Sequence, residues 1–217
     1  MEDKMIECIN IRNNHQFLAN PLASQHELRF KSIIVRQGWE VPSYENLEYD
    51  SYDNPAATYL VWRDYNKVVR GVSRLYPTDR PYMLQEVFSH LSNADLPNSK
   101  QIWEGSRFCV DESLPADIRQ QIIKELVVSY LEFGLVNDIE AFIGLMYPAY
   151  WRNIFTKSGW DIEWLGSPEK LEDGKRVRAG KVHVSERALE KVRETTGIYQ
   201  SITNLITDKN NRTKEAA

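Results

Sequence analysis

Ile102-Trp103-Glu104-Gly105-Ser106-Arg107-Phe108-Cys109-Val110 reads as a strand, and its continuation into a helix and a second strand decides the architecture. Pro115 opens a helix to about Gly134, with Ile118, Ile122, Leu126, Tyr130 and Phe133 near helical spacing. Ala141–Leu145 is then an apolar run of buried-strand length. Upstream, residues 5–10 read as a short strand. Residues 15–36 read as a helix carrying Phe17, Leu18, Leu22, Leu28, Ile33 and Ile34. Thr58–Arg63 and Lys67–Leu75 form a hairpin that turns at Asp64-Tyr65-Asn66, and Pro81 opens a helix to about Leu91. Downstream come a helix over 149–157, strands over 159–165 and 181–184, and a helix through Thr195 capped by Ser185. Strands interleaved with helices predict an α/β sheet with helices on both faces, and the hairpin makes that sheet mixed. Residues 1–200 are expected to form one domain, followed by a polar, mobile tail over 201–217. Residues 38–57 are an acidic, aromatic loop with Pro42, Asn46, Asn54 and Pro55, of a length that usually carries function.

Composition narrows the class. Of 217 residues, 42% are hydrophobic and 27% charged, enough apolar material for a packed core. The net charge of -4 lacks the basic footprint of a general nucleic-acid binder. No apolar stretch approaches a membrane span, and the start Met-Glu-Asp-Lys shows no signal core. Cys8 and Cys109 sit in apolar runs and read as buried free thiols of a cytoplasmic protein. Four scattered His residues offer no ligand spacing, so no metal is expected.

The chemistry-bearing feature is opposite charges set among aromatics. Arg29 lies on the first helix, Trp39 at its end, and Glu48, Asp50 and Asp53 in the acidic loop. Arg74 lies on the second hairpin strand, and Glu104 and Arg107 on the next. Alternation puts Glu104 and Arg107 on opposite faces unless a bulge intervenes, and Gly105 is the expected bulge residue. Taken singly, such residues read as solvated charges and core aromatics.

Taken in order, they resemble the Lux-type acyl-homoserine-lactone synthases, the autoinducer synthases of bacterial quorum sensing. The resemblance rests on Arg29, Gly38-Trp39-Glu40, Glu48-Tyr49-Asp50-Ser51-Tyr52-Asp53 and Gly71-Val72-Ser73-Arg74-Leu75. It continues through Arg80-Pro81-Tyr82-Met83-Leu84, Phe88, Trp103-Glu104-Gly105-Ser106-Arg107-Phe108 and, more weakly, Lys157-Ser158-Gly159-Trp160, covering about residues 20–165. It implies a GNAT-like three-layer α/β/α sandwich with a mixed, splayed central sheet. It also implies two substrates, S-adenosylmethionine and an acyl thioester on acyl carrier protein or coenzyme A, with no further cofactor. The products are an acyl-homoserine lactone, methylthioadenosine and the free thiol.

By the same resemblance Glu104 matches the candidate general base, which needs burial or a relaying water to work. Trp39 offers a face to the sulfonium, and Asp50 and Asp53 either hold the ammonium or order the loop. Arg29 and Arg107 suit the substrate carboxylate; equally, Arg29, Arg74 and Arg107 brace the acidic loop. A backbone N–H near Phe108 would meet the oxyanion.

Phe142, Leu145, Met146, Tyr147, Tyr150, Trp151 and Phe155 are core packing or the wall of an acyl pocket. Bulky Tyr150 and Trp151 predict a short or medium chain, and Leu145, which cannot donate a hydrogen bond, an unsubstituted one. Ile33 stands where an aromatic is usual. Arg152 and Lys157 are the expected carrier-protein patch, with Lys175, Arg176, Arg178 and Lys181 as a second basic run or a solvated loop. The rival activities are a GNAT N-acyltransferase and a non-catalytic S-adenosylmethionine or acyl-binding protein. Against the first, Asp111-Glu112-Ser113-Leu114-Pro115 is acidic and lacks the glycines of a pyrophosphate loop.

Overall fold

The computed structural model describes residues 6–93 and 95–204. In chain order these give β1 (Ile6–Ile9), α1 (Pro21–Arg29), β2 (Ser43–Tyr44), β3 (Leu47–Glu48), β4 (Thr58–Arg63), β5 (Val69–Pro77), α2 (Met83–Val87) and β6 (Ile102–Val110). Next come α3 (Ala116–Val136), β7 (Ala141–Met146), α4 (Pro148–Tyr150), β8 (Glu163–Trp164), β9 (Glu169–Lys170), β10 (Arg176–His183), α5 (Glu186–Thr196) and β11 (Thr203–Asn204). The main sheet runs β11-β1-β4-β5-β6-β7-β10-β8, with β9 also on β10. Its β1–β11 and β6–β7 pairs are parallel and the rest antiparallel, which makes it mixed.

Helices cover both faces, so β4 is buried at every residue. One core gathers under α3 and α5, where Leu126, Tyr130, Phe142, Trp160 and Val192 meet. The other lies under α1 and α2, with Ile9, Leu28, Val61, Tyr82 and Cys109. Each fully buried aliphatic or aromatic side chain contributes about 1.5–3 kcal/mol. This is the expected three-layer α/β/α arrangement.

Several boundaries depart from the sequence reading. The first helix begins at Pro21, not residue 15. Ala19 and Asn20 are left-handed, and the Asn20 side chain caps Ala23 N–H. The helix continues beyond Arg29 in wider turns to Arg36. The acidic loop contains a small β2–β3 hairpin turning at Glu45 and Asn46, both with positive φ. The helix expected to reach Leu91 stops at Val87, with one tighter turn over Ser89–Leu91. Only Glu163–Trp164 pairs within the strand expected over 159–165. The strand expected over 181–184 begins at Arg176, which puts most of the basic run on a strand rather than in a loop. Thr203–Asn204, at the start of the predicted tail, add to β1; the tail beyond Asn204 lies outside the described residues.

The parallel pairing of β6 with β7 joins Ile102–Glu104 to Ala141–Ile143 and ends there. Gly105 and Gly144 remain close: a Cβ on Gly144 would lie 2.7 Å from the Gly105 carbonyl oxygen. Past this point Gly105–Cys109 and Leu145–Met146 border one cavity between the strands.

Candidate active site

The cavity has a volume of about 430 Å³. The five residues expected as acyl pocket, Phe142, Leu145, Met146, Trp151 and Phe155, line it, as do Tyr147, Tyr150 and Tyr130. Trp151 is fixed by its indole N–H, which donates to the Arg178 carbonyl at 2.8 Å. It lies against Gly180, where a Cβ would come within 3.0 Å of the ring. Trp39, Asp50, Arg107 and Phe108 line the cavity as well.

Six charges beside the cavity close into a ring. Arg29 reaches Glu48 at 2.5 Å, and Glu48 accepts from Arg107 at 3.0 Å. Arg107 reaches Asp50 at 2.7 Å, and Asp50 accepts from Arg74 at 2.5 Å. Arg74 reaches Asp53 at 3.0 Å, and Asp53 returns to Arg29 at 2.7 Å. Three cations and three anions alternate, so the ring is neutral. Arg29, Arg74 and Glu48 are fully buried. Burial alone would raise the Asp53 carboxyl; the Arg29 fork and the Arg74 charge hold it well below the usual range. Arg29 also contacts Gln25 at 3.2 Å, so all three guanidinium nitrogens are engaged inside the protein. Arg29, Arg74 and Asp53 do not border the cavity; their geometry is that of braces for the acidic loop.

The bulge that brings Glu104 and Arg107 to one face lies two residues beyond Gly105. Val72 pairs with Cys109 and Arg74 with Ser106, so Arg107 and Phe108 together face the single residue Ser73. Arg107 adopts φ 53°, a left-handed conformation that costs a non-glycine residue about 1–3 kcal/mol. Gly105 is needed for another reason: a Cβ there would lie 2.7 Å from the Tyr130 hydroxyl oxygen.

Glu104 is fully buried. Its carboxylate accepts from the backbone N–H of Leu84 at 2.7 Å and of Met83 at 3.2 Å, at the start of α2. Burial pushes its pKa up to about 7, although those N–H groups and the nearby arginines favour the ionised form. Glu104 does not itself border the cavity; Met83 and Ser106 beside it do. A carboxyl poised near neutrality next to an apolar cavity suits general-base work.

Trp39 has two neighbours against its ring. Tyr147 stacks on it at 5.9 Å, and the Lys175 ammonium lies 4.7 Å from the ring centre. The aromatic partner that Ile33 cannot supply thus comes from Tyr147; Ile33 itself lines the cavity. Of the basic run, Lys175 also binds Asp173, Arg178 covers Trp164 at 3.9 Å, and Lys181 faces Glu163. Arg152 and Lys157 are exposed on the helical run after β7 and form no ion pair among the described residues. Met83, Tyr52, Tyr130 and Ser73 were not singled out from sequence as site residues. Met83, Tyr52 and Ser73 stand inside the motif stretches that carry the resemblance, and Tyr130 on the apolar face of α3, without a role of their own from the sequence. Burial raises the Cys109 thiol to about 11, which makes it unreactive. No group of three His, Cys, Asp or Glu among the described residues gathers in a metal-holding arrangement, and no described helix is long and apolar enough to cross a membrane.

Residues 14–192 match the family model described as autoinducer synthase. The chain belongs to the autoinducer synthase family. The synthase is 30% identical over 198 residues to the isovaleryl-homoserine lactone synthase of Bradyrhizobium diazoefficiens, covering 89% of this chain and 86% of the relative. It is 26% identical over 172 residues to an acyl-homoserine-lactone synthase of Pseudomonas aeruginosa, with 78% and 83% covered. Among solved structures, a CoA-dependent acyl-homoserine lactone synthase with SAM and isopentyl-CoA superposes with a TM-score of 0.82 at 27% identity. That match covers 97% of this chain and 99% of the other. The synthase is therefore an acyltransferase that makes an acyl-homoserine lactone.

Proposed function

We propose that the synthase acylates the amine of S-adenosylmethionine from a short acyl-CoA, with Glu104 as general base, and then closes the lactone with release of methylthioadenosine. The observation that carries the catalytic assignment is Glu104, fully buried yet with a pKa of about 7, anchored where β6 and β7 part. One water between Glu104 and the amine takes the ammonium proton across the gap left by its burial. The freed amine attacks the thioester carbonyl, and the Phe108 segment supplies the oxyanion donor. The thiolate leaves with a proton and the amide remains. In the second step the substrate carboxylate attacks the carbon beside the sulfonium, whose leaving group is good enough for positioning to suffice. No cofactor beyond the two substrates takes part.

Asp50 and Arg107 are the members of the charge ring that border the cavity, and they meet the polar end of S-adenosylmethionine. The aromatic wall around Trp151 meets the acyl chain. Its shape, with Leu145 as an apolar neighbour, favours a short acyl group without a 3-oxo substituent. The isovaleryl relative and the isopentyl-CoA neighbour support short, branched donors as the first to be tried.

The test is methylthioadenosine release from S-adenosylmethionine with a panel of acyl-CoA and acyl carrier protein thioesters, with mass spectrometry of the extract. Release that depends on a short acyl-CoA, with the matching lactone, is the expected result. A strict requirement for the carrier protein overturns the donor assignment and makes Arg152 and Lys157 the docking patch. Free thiol without methylthioadenosine overturns the lactone-forming step in favour of plain acyl transfer.

A further inference from the structure

Two buried hydroxyls outside the charge ring sit against the bulge. Ser73 is the one β5 residue opposite Arg107 and Phe108. Its Oγ donates to the Ser106 carbonyl at 3.1 Å, immediately before the bulge. The Tyr130 hydroxyl on α3 lies 2.5 Å from the same Oγ. Tyr130 and Ser73 are essentially inaccessible to solvent. The direction of the chain of hydrogen bonds comes from proton counting. A carbonyl only accepts, so the single Ser73 hydroxyl proton goes to Ser106, and Tyr130 must donate to Ser73. Burial pushes the Tyr130 pKa upward, so this donor keeps its proton throughout the working range.

We propose that Tyr130 and Ser73 form a positioning relay that fixes the β6 bulge, and through it the oxyanion donor at Phe108 and the guanidinium of Arg107. The relay rests on the acyl-transfer reading of the site. A register change in mid-sheet places two residues against one, and a residue with left-handed φ sits within it. Such a backbone persists only when its surroundings over-determine it. Here the determinants come from the α3 side. Tyr130 stands beneath Gly105, so close that only glycine fits above the hydroxyl. Phe142 braces its ring at 4.9 Å, edge to face, and Phe155 at 6.0 Å. The post is therefore rigid, and its hydroxyl pins Ser73, which pins the Ser106 carbonyl. On the other face the Ser106 hydroxyl accepts from Arg74 Nε at 3.1 Å, so Ser106 is held from both sides of the sheet. Tyr130 also lines the acyl cavity, which places the post beside the thioester rather than remote from it.

The relay predicts a separation of turnover from binding. Tyr130→Phe keeps the ring and removes one hydrogen bond; Ser73→Ala removes both. Each is expected to lower kcat for methylthioadenosine release about ten- to a hundredfold, because misplacing a donor by a fraction of an ångström weakens transition-state contacts. KM for either substrate should change less than about threefold, since the acyl wall and the ring are intact. The double variant Tyr130→Phe/Ser73→Ala should be no slower than Ser73→Ala alone, because the two act in series. Circular dichroism and thermal unfolding of each variant establish that it is folded. Folded Tyr130→Phe with wild-type kcat overturns the proposal. So does a double variant whose losses multiply, or a fall in kcat matched by an equal rise in KM. The wild-type protein in the same assay reports on the acyl-transfer reading itself: if it releases no methylthioadenosine with any thioester, that reading fails before the relay is questioned.

Discussion

Replacing Glu104 with glutamine separates the charge of the buried carboxyl from its volume. In the folded protein the group titrates at about 7, against an ordinary 4.5. The folded state therefore holds the proton more tightly than the unfolded chain does. The stability this confers is complete below pH 4.5 and is lost as pH rises through 7. The whole difference is worth about 3 kcal/mol, and most of it, about 2–3 kcal/mol, falls between about pH 5 and pH 8.5. Glutamine carries no such burden: it is neutral at every pH, like the protonated acid that wild type holds below 7, and the bonds from the Met83 and Leu84 N–H groups that favour the carboxylate are already contained in that pKa. Relative to wild type, Glu104→Gln should gain about 2–3 kcal/mol on going from pH 5 to pH 8.5. Urea unfolding followed by tryptophan fluorescence at the two pH values measures that difference. Methylthioadenosine release at about pH 8.5 should meanwhile fall at least about a hundredfold. An offset from wild type that is the same at both pH values within about 0.5 kcal/mol would refute the raised pKa, and the choice of base would lose its physical ground.

The wild-type rate should track the same group: kcat/KM rises about tenfold per pH unit below 7 and levels off near 8, and a profile flat from about pH 5.5 to 8 contradicts Glu104 as base. Trp151→Leu should lengthen the acyl cavity, raising kcat/KM for longer over shorter acyl-CoA donors by about tenfold per methylene newly accommodated. Competition assays over a chain-length series read that ratio. Arg29→Gln leaves Glu48 and Asp53 each short of a partner and should destabilise the protein by about 3–5 kcal/mol, measured by denaturant unfolding.

How much of this was legible in the sequence depends on how local each signal is. The run of β6, α3 and β7 was readable because apolar periodicity within each segment fixes its type, and the order of types fixes the layering. The start of α1 differs because apolar Phe17 and Leu18 extend the helical pattern back past Asn20-Pro21, the cap and first-position pair at which the helix begins. The bulge was foreseen at glycine, the residue that tolerates it. It formed instead at Arg107, where tertiary contacts to Glu48 and Asp50 hold a backbone that the residue alone would avoid. The charged residues were legible as a set, but their closure into a ring was not. Arg29 and Glu48 are 19 positions apart and Arg107 and Glu48 are 59, distances over which no pattern in the chain reports a contact. Asp173, the partner of Lys175, lies only two residues before it, whereas Glu163, the partner of Lys181, is brought there by the β8–β10 register and is invisible in the chain alone.

The closed form of the charge ring gives the acidic loop a kind of redundancy. In a linear row of six alternating ions, opening the end link strands one charge alone in a buried place. In a ring every ion has two neighbours, so opening any one link yields an unbroken row of six in which each ion keeps a partner. The loop can thus loosen at one link without isolating a buried charge. Fastening and yielding, which a single salt bridge would set against each other, are here properties of the same six side chains.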